Sequence, residues 1–511
     1  MDWIIFFFVL ALISAWGIWR RRPGIRRARW TRDVWKPRRV LAPWSKKSGF
    51  TCQDSYNHTL IMGATGSGKT SGSGRTVAEA MLKAGYGGLV LLVKDDWSFW
   101  KGLCKATKRY QDLIRFSPSD RWRFNFLNEE LRRTGRGGGQ TENIVQLLCS
   151  AMETLKRNSG GDSNRENGGF WRDALAELLR NSIDLASMSL GRIRIRELYD
   201  IVYSAPDSVK EAMSDHWGQN SFCAKCLDAG ASRAAASKRH DLDAVARYFL
   251  KAFPKLAPNT RESIRATFSV MADCLQRGVL PELLCGETNV TPAAATHGNI
   301  IVVDMPLIEF GAVGMLASGL WKYAFQRGIE RRNVRKNPRP VFLWIDEAQF
   351  LITSHDFEFL STCRSSRVAT VYLTQNLPSL YAALGGRQKA ESEVDALCGN
   401  FCTKIFHANG DPVTNRWASE MIGRSRQFLV NANNSYDTDG SFGGMPSWGQ
   451  RPKTSAGVSE HIDFEVQPSA FGKLRTGGRA HGRNVDAIVL RNETFADTGR
   501  VWRLATFRQK R

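Results

Sequence analysis

The chain has 511 residues, of which 42% are hydrophobic and 24% are charged. This composition excludes a disordered chain and a multi-span transporter, and the length exceeds that of one ordinary domain. Lys and Arg total 72 against 49 Asp and Glu, a formal net charge of +23, which favours polyanionic partners such as nucleic acid or anionic lipid.

The first 20 residues are predicted to form a transmembrane anchor. The stretch from Trp3 to Trp19 carries no charge, and as a helix it would span about 26 Å, enough for a thin bilayer. Its tryptophans lie near both ends, where indole rings favour the headgroup region. Because the basic residues follow the apolar run, the positive-inside rule predicts an N-terminus outside and a cytoplasmic C-terminal body.

Residues 21–47 are predicted to be a basic juxtamembrane segment. From Arg20 to Lys47 the sequence is crowded with Lys and Arg, and Asp33 is its one acidic residue. Such a charge density favours contact with anionic lipid headgroups. Direct contact with DNA is the alternative for this segment.

A phosphate-binding motif follows the basic segment. It consists of Gly63, Ala64, Thr65, Gly66, Ser67, Gly68, Lys69 and Thr70, and it matches G-x-x-x-x-G-K-[ST] at every fixed position. A short apolar strand pattern precedes it at 58–62 and a helix pattern follows at 70–84, which is the context that a P-loop requires. The backbone would cradle the phosphates of ATP, Lys69 would reach the β- and γ-phosphates, and Thr70 would bind Mg²⁺.

An acidic pair far downstream completes the predicted ATPase site. Residues 341–345 are a continuous apolar run, typical of a parallel strand buried on both faces, and Asp346 and Glu347 follow directly. An Asp at the carboxyl end of such a strand can hold Mg²⁺, and the adjacent Glu can polarise the attacking water.

The remaining patterns predict an α/β protein with a mostly parallel, doubly wound sheet over 48–164 and 291–511. The strand-like runs lie at 89–93, 299–304, 341–345, 368–374, 403–407 and 485–490. Between them, residues 165–290 contain helical patterns and few strand-like runs, which predicts an inserted all-α domain. Residues 431–457 are rich in Asn, Gly, Ser and Pro and are predicted to be a loop.

The chain resembles the TraD/TraG family of type IV secretion coupling proteins along nearly its whole length. The segments that carry the resemblance, in order, are the P-loop, Lys94-Asp95-Asp96, residues 112–118, residues 124–127, Phe170-Trp171, Asp346-Glu347-Ala348, Arg364, Thr374-Gln375-Asn376 and Gly410-Asp411. The order of these segments and the helical insertion between them distinguish this family from other P-loop ATPases.

The resemblance implies a RecA-like, homo-hexameric ATPase motor at the bacterial inner membrane. Such a motor would pass relaxase-bound single-stranded DNA, and in some cases proteins, to the components of a secretion channel. By position in the family pattern, Gln375 would sense the γ-phosphate, and Arg364 would reach the nucleotide of a neighbouring subunit. Arg367 is the rival for this second role.

Two other functions stay open at this stage. One is an FtsK/HerA-like pump for duplex DNA, and the other is a membrane-tethered receptor that recruits cargo and uses nucleotide as an assembly switch. Glu347 beside Asp346 favours hydrolysis over a pure switch, and the helical insertion favours the secretion type over duplex pumps.

Overall fold

The computed structural model of the protein describes residues 32–45, 47–134, 137–158, 165–233, 235, 238–435 and 453–510. The predicted membrane anchor at 1–20 lies outside these residues, as does the basic segment up to residue 31. No helix within the described ranges is both long enough and apolar enough to span a bilayer.

A nine-stranded sheet organises the fold, with the strand order β13-β12-β9-β3-β8-β7-β4-β6-β5. Its neighbouring strands are parallel from β9 to β5, whereas β12 and β13 are antiparallel and form one edge. Two further antiparallel pairs, β1–β2 and β10–β11, lie apart from it. The strands are β1 Val40–Pro43, β2 Gly49–Thr51, β3 Thr59–Met62, β4 Gly87–Leu91, β5 Leu113–Phe116, β6 Ile300–Val303, β7 Val341–Ile345, β8 Val368–Thr374, β9 Thr403–Phe406, β10 Arg424–Ser435, β11 Lys453–Phe464, β12 Asn484–Leu490 and β13 Trp502–Arg508.

Helices connect these strands. They are α1 Cys52–Tyr56, α2 Arg75–Lys83, α3 Trp97–Ala106, α4 Phe126–Arg132, α5 Thr141–Asn158, α6 Arg165–Leu190, α7 Ile195–Tyr203, α8 Val209–Ala212, α9 Asp215–Asn220, α10 Phe222–Arg233, α11 Arg239–Arg247, α12 Phe253–Lys255, α13 Pro258–Gln276, α14 Leu280–Leu284, α15 Ala293–Thr296, α16 Leu307–Glu330, α17 His355–Thr362, α18 Leu377–Ala383, α19 Arg387–Gly399, α20 Pro412–Ile422 and α21 Pro468–Phe471. The predicted helix at 70–84 starts as a π-helical turn over Thr70–Gly74, in which the Gly74 N–H donates to the Lys69 carbonyl, and continues as α2.

Both faces of the central sheet are covered, which explains its apolar strands. Successive residues of one strand enter two separate apolar cores: Leu60 and Met62 pack on one face, and Ile61 packs on the other. The strands β3, β4, β6 and β7 are buried along their whole length. This is the arrangement expected of a doubly wound α/β sheet.

Helices fill the long connection between β5 and β6. Within the described residues of this connection there is no strand, in agreement with the helical patterns at 165–290. Two helices, α4 and α5, precede residue 165, and α5 packs against α16 beside the sheet. The boundaries proposed for the inserted domain stay a prediction.

The prediction of a loop over residues 431–457 is wrong at both ends of this range. Residues 431–435 belong to β10 and residues 453–457 to β11, and the two strands pair in register from Arg424–Phe464 to Ser435–Lys453. The apolar residues at 428–430 favour a strand, and backbone pairing carries that strand on through the Asn- and Gly-rich residues that were expected to break it.

Candidate nucleotide-binding and hydrolysis site

The P-loop lies at the carboxyl end of β3, in the centre of the sheet. The Gly63 N–H donates to the Gln375 carbonyl at 3.2 Å, and the Ala64 N–H donates to the Ala408 carbonyl at 2.9 Å, so the loops after β8 and β9 hold it from both sides. Gly66 and Gly68 have φ angles of 77° and 86°, which glycine adopts without steric cost. The motif therefore has the strand, loop and helix context that the sequence predicts.

Lys69 is buried against its own loop. Its Nζ donates to the carbonyls of Gly63 at 2.7 Å and Ala64 at 3.3 Å. Burial lowers the pKa of Lys69, and the nearby carboxylates of Glu347 and Asp346 act in the opposite direction. The ammonium group thus lies inside the loop that would surround the phosphates.

The two distant motifs meet at Thr70 and Asp346. Thr70 Oγ1 donates to Asp346 Oδ2 at 2.7 Å, although 276 positions separate the residues. Burial raises the pKa of Asp346, and the Thr70 hydroxyl bond lowers it in part. A hydroxyl and a carboxylate oxygen at this spacing fit Mg²⁺, which prefers hard oxygen ligands and keeps several waters.

Glu347 lies beside this pair and is 3% exposed. Its backbone is in the left-handed region with φ 56°, an uncommon conformation for a residue other than glycine and one that recurs at active sites. Burial alone would raise the pKa of the Glu347 carboxyl, but hydrogen bonds from Lys94 and Gln349 outweigh it, so the net pKa is lowered. The carboxylate is thereby kept ionised, as a proton acceptor requires.

Two residues named by the resemblance surround the Glu347 carboxylate. Gln375 Nε2 lies 3.4 Å from both of its oxygens, and Lys94 Nζ donates to Oε1. Gln349 Nε2 adds a bond at 2.9 Å to Oε2. The structure thus brings Gln375 to the site, and its role as a sensor stays a prediction.

Arg364 and Arg367 lie at the amino ends of the parallel strands, opposite the ends that hold the site. Both precede β8, whereas Gln375 follows its carboxyl end, and seven strand residues separate these ends by roughly 20 Å. Arg364 is exposed, while Arg367 donates to the Pro338 carbonyl at 3.1 Å. Neither guanidinium reaches the site of its own chain, so action on a neighbouring subunit stays a prediction for both.

The sequence reasoning missed residues that support the P-loop helix from the other side. Ser73 Oγ and His407 Nε2 are 2.6 Å apart behind the loop, and burial lowers the pKa of His407 to about 3, which keeps the ring neutral. Gln509 Nε2 donates to Ser71 Oγ at 2.7 Å. His407 ends a predicted strand and could have been noted, but nothing in the local sequence around Gln509 indicates a contact 438 positions away.

Residues 340–459 match a family model described as the TraM recognition site of TraD and TraG. Over these residues the chain is similar to TraD and TraG. The resemblance inferred from the sequence is therefore confirmed. No curated protein matches the chain by sequence.

Solved structures of the conjugative coupling protein TrwB have a similar fold. TrwB with the ATP analogue ADPNP has a TM-score of 0.59 at 15% identity, covering 94% of this chain and 91% of that chain. The unbound monoclinic form of TrwBdeltaN70 has 0.56 at 16% identity, with 90% and 86% covered. TrwB with ADP and Mg²⁺ has 0.56 at 15% identity, also with 90% and 86% covered.

At these identities the likeness concerns the fold. It confirms the predicted α/β, RecA-like P-loop fold with a large, mostly parallel central sheet. The ligands in the TrwB structures, an ATP analogue and ADP with Mg²⁺, are of the kind that the P-loop and the acidic pair predict for this chain.

Proposed function

We propose that this chain is a membrane-anchored ATPase that couples relaxase-bound single-stranded DNA, and in some cases proteins, to a type IV secretion or conjugation channel. The observation that carries the proposal is the 2.7 Å contact between Thr70 and Asp346, with the buried Glu347 next to it. Hydrolysis of ATP at this site would drive the transfer.

The residues of the site have distinct roles in this mechanism. Lys69 Nζ would exchange its carbonyl partners for phosphate oxygens, and Thr70 and Asp346 would hold Mg²⁺. Bound Mg²⁺ supplies positive charge that stabilises the phosphoryl oxygens. Glu347 would accept the proton of the attacking water. Gln375, within reach of the same carboxylate, would sense the γ-phosphate.

The proposal extends to assembly and partners. A homo-hexamer would place Arg364, or its rival Arg367, near the nucleotide of the next subunit, which their distance from their own site permits. The anchor at 1–20 would cross the bacterial inner membrane once with its N-terminus outside, and residues 21–47 would lie on anionic lipid. Because the matched family model is described as a TraM recognition site, a relaxosome protein of that kind is the partner we propose for residues 340–459.

An ATPase assay of the full-length chain in detergent tests this function. We expect turnover that depends on Mg²⁺, rises with single-stranded DNA and is lost in Lys69→Ala. Stimulation by duplex DNA alone would favour the duplex pump instead. Absence of turnover in the wild-type chain, with nucleotide still bound, would favour the receptor that uses nucleotide as a switch.

A further inference from the structure

The last two strands of the sheet bring the C-terminal part of the chain to the P-loop. Because β12 is antiparallel to β9, with Ile488 opposite Phe406, its first residues lie at the carboxyl edge of the parallel strands. Because β13 is antiparallel to β12, its last residues reach the same edge. Residues 475–483, here called the C-terminal basic loop, and the segment after residue 508 therefore lie beside the nucleotide site.

Direct contacts join these segments to the P-loop. A Cβ placed on Gly68 would lie 2.8 Å from Val485 side-chain carbons and 3.2 Å from the Thr476 carbonyl, so the loop backbone touches the motif. The Gln509 side chain connects both parts: Nε2 donates to Ser71 Oγ at 2.7 Å, and Oε1 accepts from the Gly478 N–H at 2.8 Å. The single side chain of Gln509 thus bridges Gly478 and Ser71, the residue that follows Thr70.

The C-terminal basic loop is closed by its own hydrogen bonds. The Arg483 N–H donates to the Gly478 carbonyl at 2.7 Å, and the Asn484 N–H donates to the His481 carbonyl at 3.0 Å. The Arg483 carbonyl in turn accepts from the Gln509 N–H at 2.9 Å. The loop conformation is therefore fixed before any ligand binds, which lowers the entropic cost of binding.

Two arginines of this loop keep their charge available. Arg479 is exposed and Arg483 is half-buried, and neither forms an ion pair with another residue in the described part of the chain. Arg475, in contrast, forms a bidentate pair with Asp486 at 2.6 and 2.8 Å. Unpaired guanidinium groups on a fixed loop suit the recognition of phosphate.

The strand order indicates which end of a nucleotide would face the loop. Asp346 and Glu347 follow β7 and Gln375 follows β8, on one side of β3, so the terminal phosphate points to that side. The strands β9 and β12 lie on the other side of β3. The α-phosphate and the nucleoside must therefore extend toward the C-terminal basic loop.

We propose that the C-terminal basic loop binds the nucleotide held in the P-loop of the same chain, with Arg479 and Arg483 contacting its α-phosphate and ribose end. This inference rests on the proposed function, because it requires a nucleoside triphosphate at the P-loop. It assigns binding to residues more than 400 positions after the motif.

Calorimetric titration of the full-length chain with ADP and Mg²⁺ tests the assignment. The double variant Arg479→Gln and Arg483→Gln should bind ADP at least about tenfold more weakly, the usual scale of a lost charge-assisted bond. Its KM for ATP should rise while kcat stays within about twofold of wild type, since the groups would hold the substrate rather than the reacting atoms. Replacement by Lys at both positions should restore part of the affinity.

Arg500→Gln is the matched control. Arg500 precedes β13, at the end of the β12–β13 pair remote from the P-loop, and its guanidinium lies over the Trp502 ring at 5.4 Å. This variant should bind ADP like wild type. The thermal melting temperature of each variant without nucleotide shows whether it is folded. If the double variant does not fold, the single variant Arg479→Gln, at an exposed position, replaces it in the test.

Unchanged ADP affinity in the folded Gln variants would overturn the inference, and a concurrent loss of DNA affinity would assign the loop to DNA instead. This outcome differs from a failure of the proposed function. If the wild-type chain binds ADP and Lys69→Ala does not, the P-loop site stands and only the role of Arg479 and Arg483 falls. If the wild-type chain binds no nucleotide, both proposals fail.

Discussion

The two sides of the P-loop differ in how they are built. On the side of β7 and β8, which we call the catalytic flank, Asp346, Glu347 and Lys94 are joined to the site by polar contacts. On the side of β9 and β12, the binding flank, Val485 packs closely against Gly68 and Gly72, and His407 Nε2 is hydrogen-bonded to Ser73 Oγ. Charge develops at the catalytic flank during hydrolysis, whereas the binding flank faces the part of the nucleotide that does not react.

The catalytic flank is supported from behind by a buried ion pair. Lys322 and Asp356 are 2.6 Å apart and at most 1% exposed. The Tyr372 hydroxyl donates to Asp356 Oδ1 at 2.8 Å, and two residues later along β8 the Thr374 hydroxyl donates to Gln349, which binds Glu347. The binding flank combines the close packing of Val485 against Gly68 with the hydrogen bonds that Gln509 and His407 make to the P-loop helix. Disruption of polar contacts at the catalytic flank should therefore affect chemistry or folding. Added volume at the binding flank should affect nucleotide binding.

The largest effect is expected for Glu347→Gln. The amide keeps the size of the side chain but cannot accept the proton of water, so kcat for ATP hydrolysis should fall by about 10²–10⁴-fold. ADP affinity should change little, because the residue belongs to the catalytic flank. Steady-state kinetics and calorimetry measure the two quantities, and a variant that loses affinity but keeps kcat would contradict the division into flanks.

Asp356→Asn should mainly reduce stability. Removing the carboxylate charge that faces Lys322 inside the fold should lower the free energy of unfolding by about 3–5 kcal/mol. Denaturant titration measures the loss. Lys322→Met combined with Asp356→Leu removes both charges and should recover much of the stability. If the single variant is as stable as wild type, the ion pair does not support the catalytic flank.

Gly68→Ala tests the binding flank by adding one methyl group. The new Cβ would clash with Val485, and φ 86° would strain the alanine, so ADP should bind about 30-fold more weakly, for a cost of about 2 kcal/mol. Gly66→Ala is the matched control, because Gly66 has φ 77° but nothing within 4 Å of the added carbon. Equal losses in the two variants would show that strain alone matters and that β12 does not confine the loop.

The parts of this arrangement that depend on local apolar runs could be predicted from the sequence. The strands β7 and β8 begin and end where predicted, since strands buried on both faces are continuous apolar segments. The P-loop and the acidic pair were also found, and they meet because parallel strands end at one edge of the sheet.

The parts that depend on contacts between distant residues could not be predicted from the sequence. The edge strand β13 mixes polar and apolar residues, and Arg115 interrupts β5, so neither has a strong apolar run. The binding flank needs β12 and β13 to turn back beside β9, and no local pattern encodes the bond from Gln509 to Ser71. Lys94 was noted through the family resemblance, but its contact with Glu347 follows only from the pairing of β4 with β7.

The smallest effect is expected for Lys94→Met, and it separates charge from shape within the catalytic flank. The hydrogen bond and charge of Lys94 oppose the effect of burial and hold the pKa of Glu347 below its usual range, so the carboxylate stays ionised as the pH falls. Without Lys94 the pKa rises, and the acid limb of the kcat profile should move to higher pH, with a loss of less than about tenfold at neutral pH. Lys94→Arg keeps the charge and should keep the limb in place. An unchanged profile in Lys94→Met would mean that Gln349 and Gln375 alone set the state of Glu347.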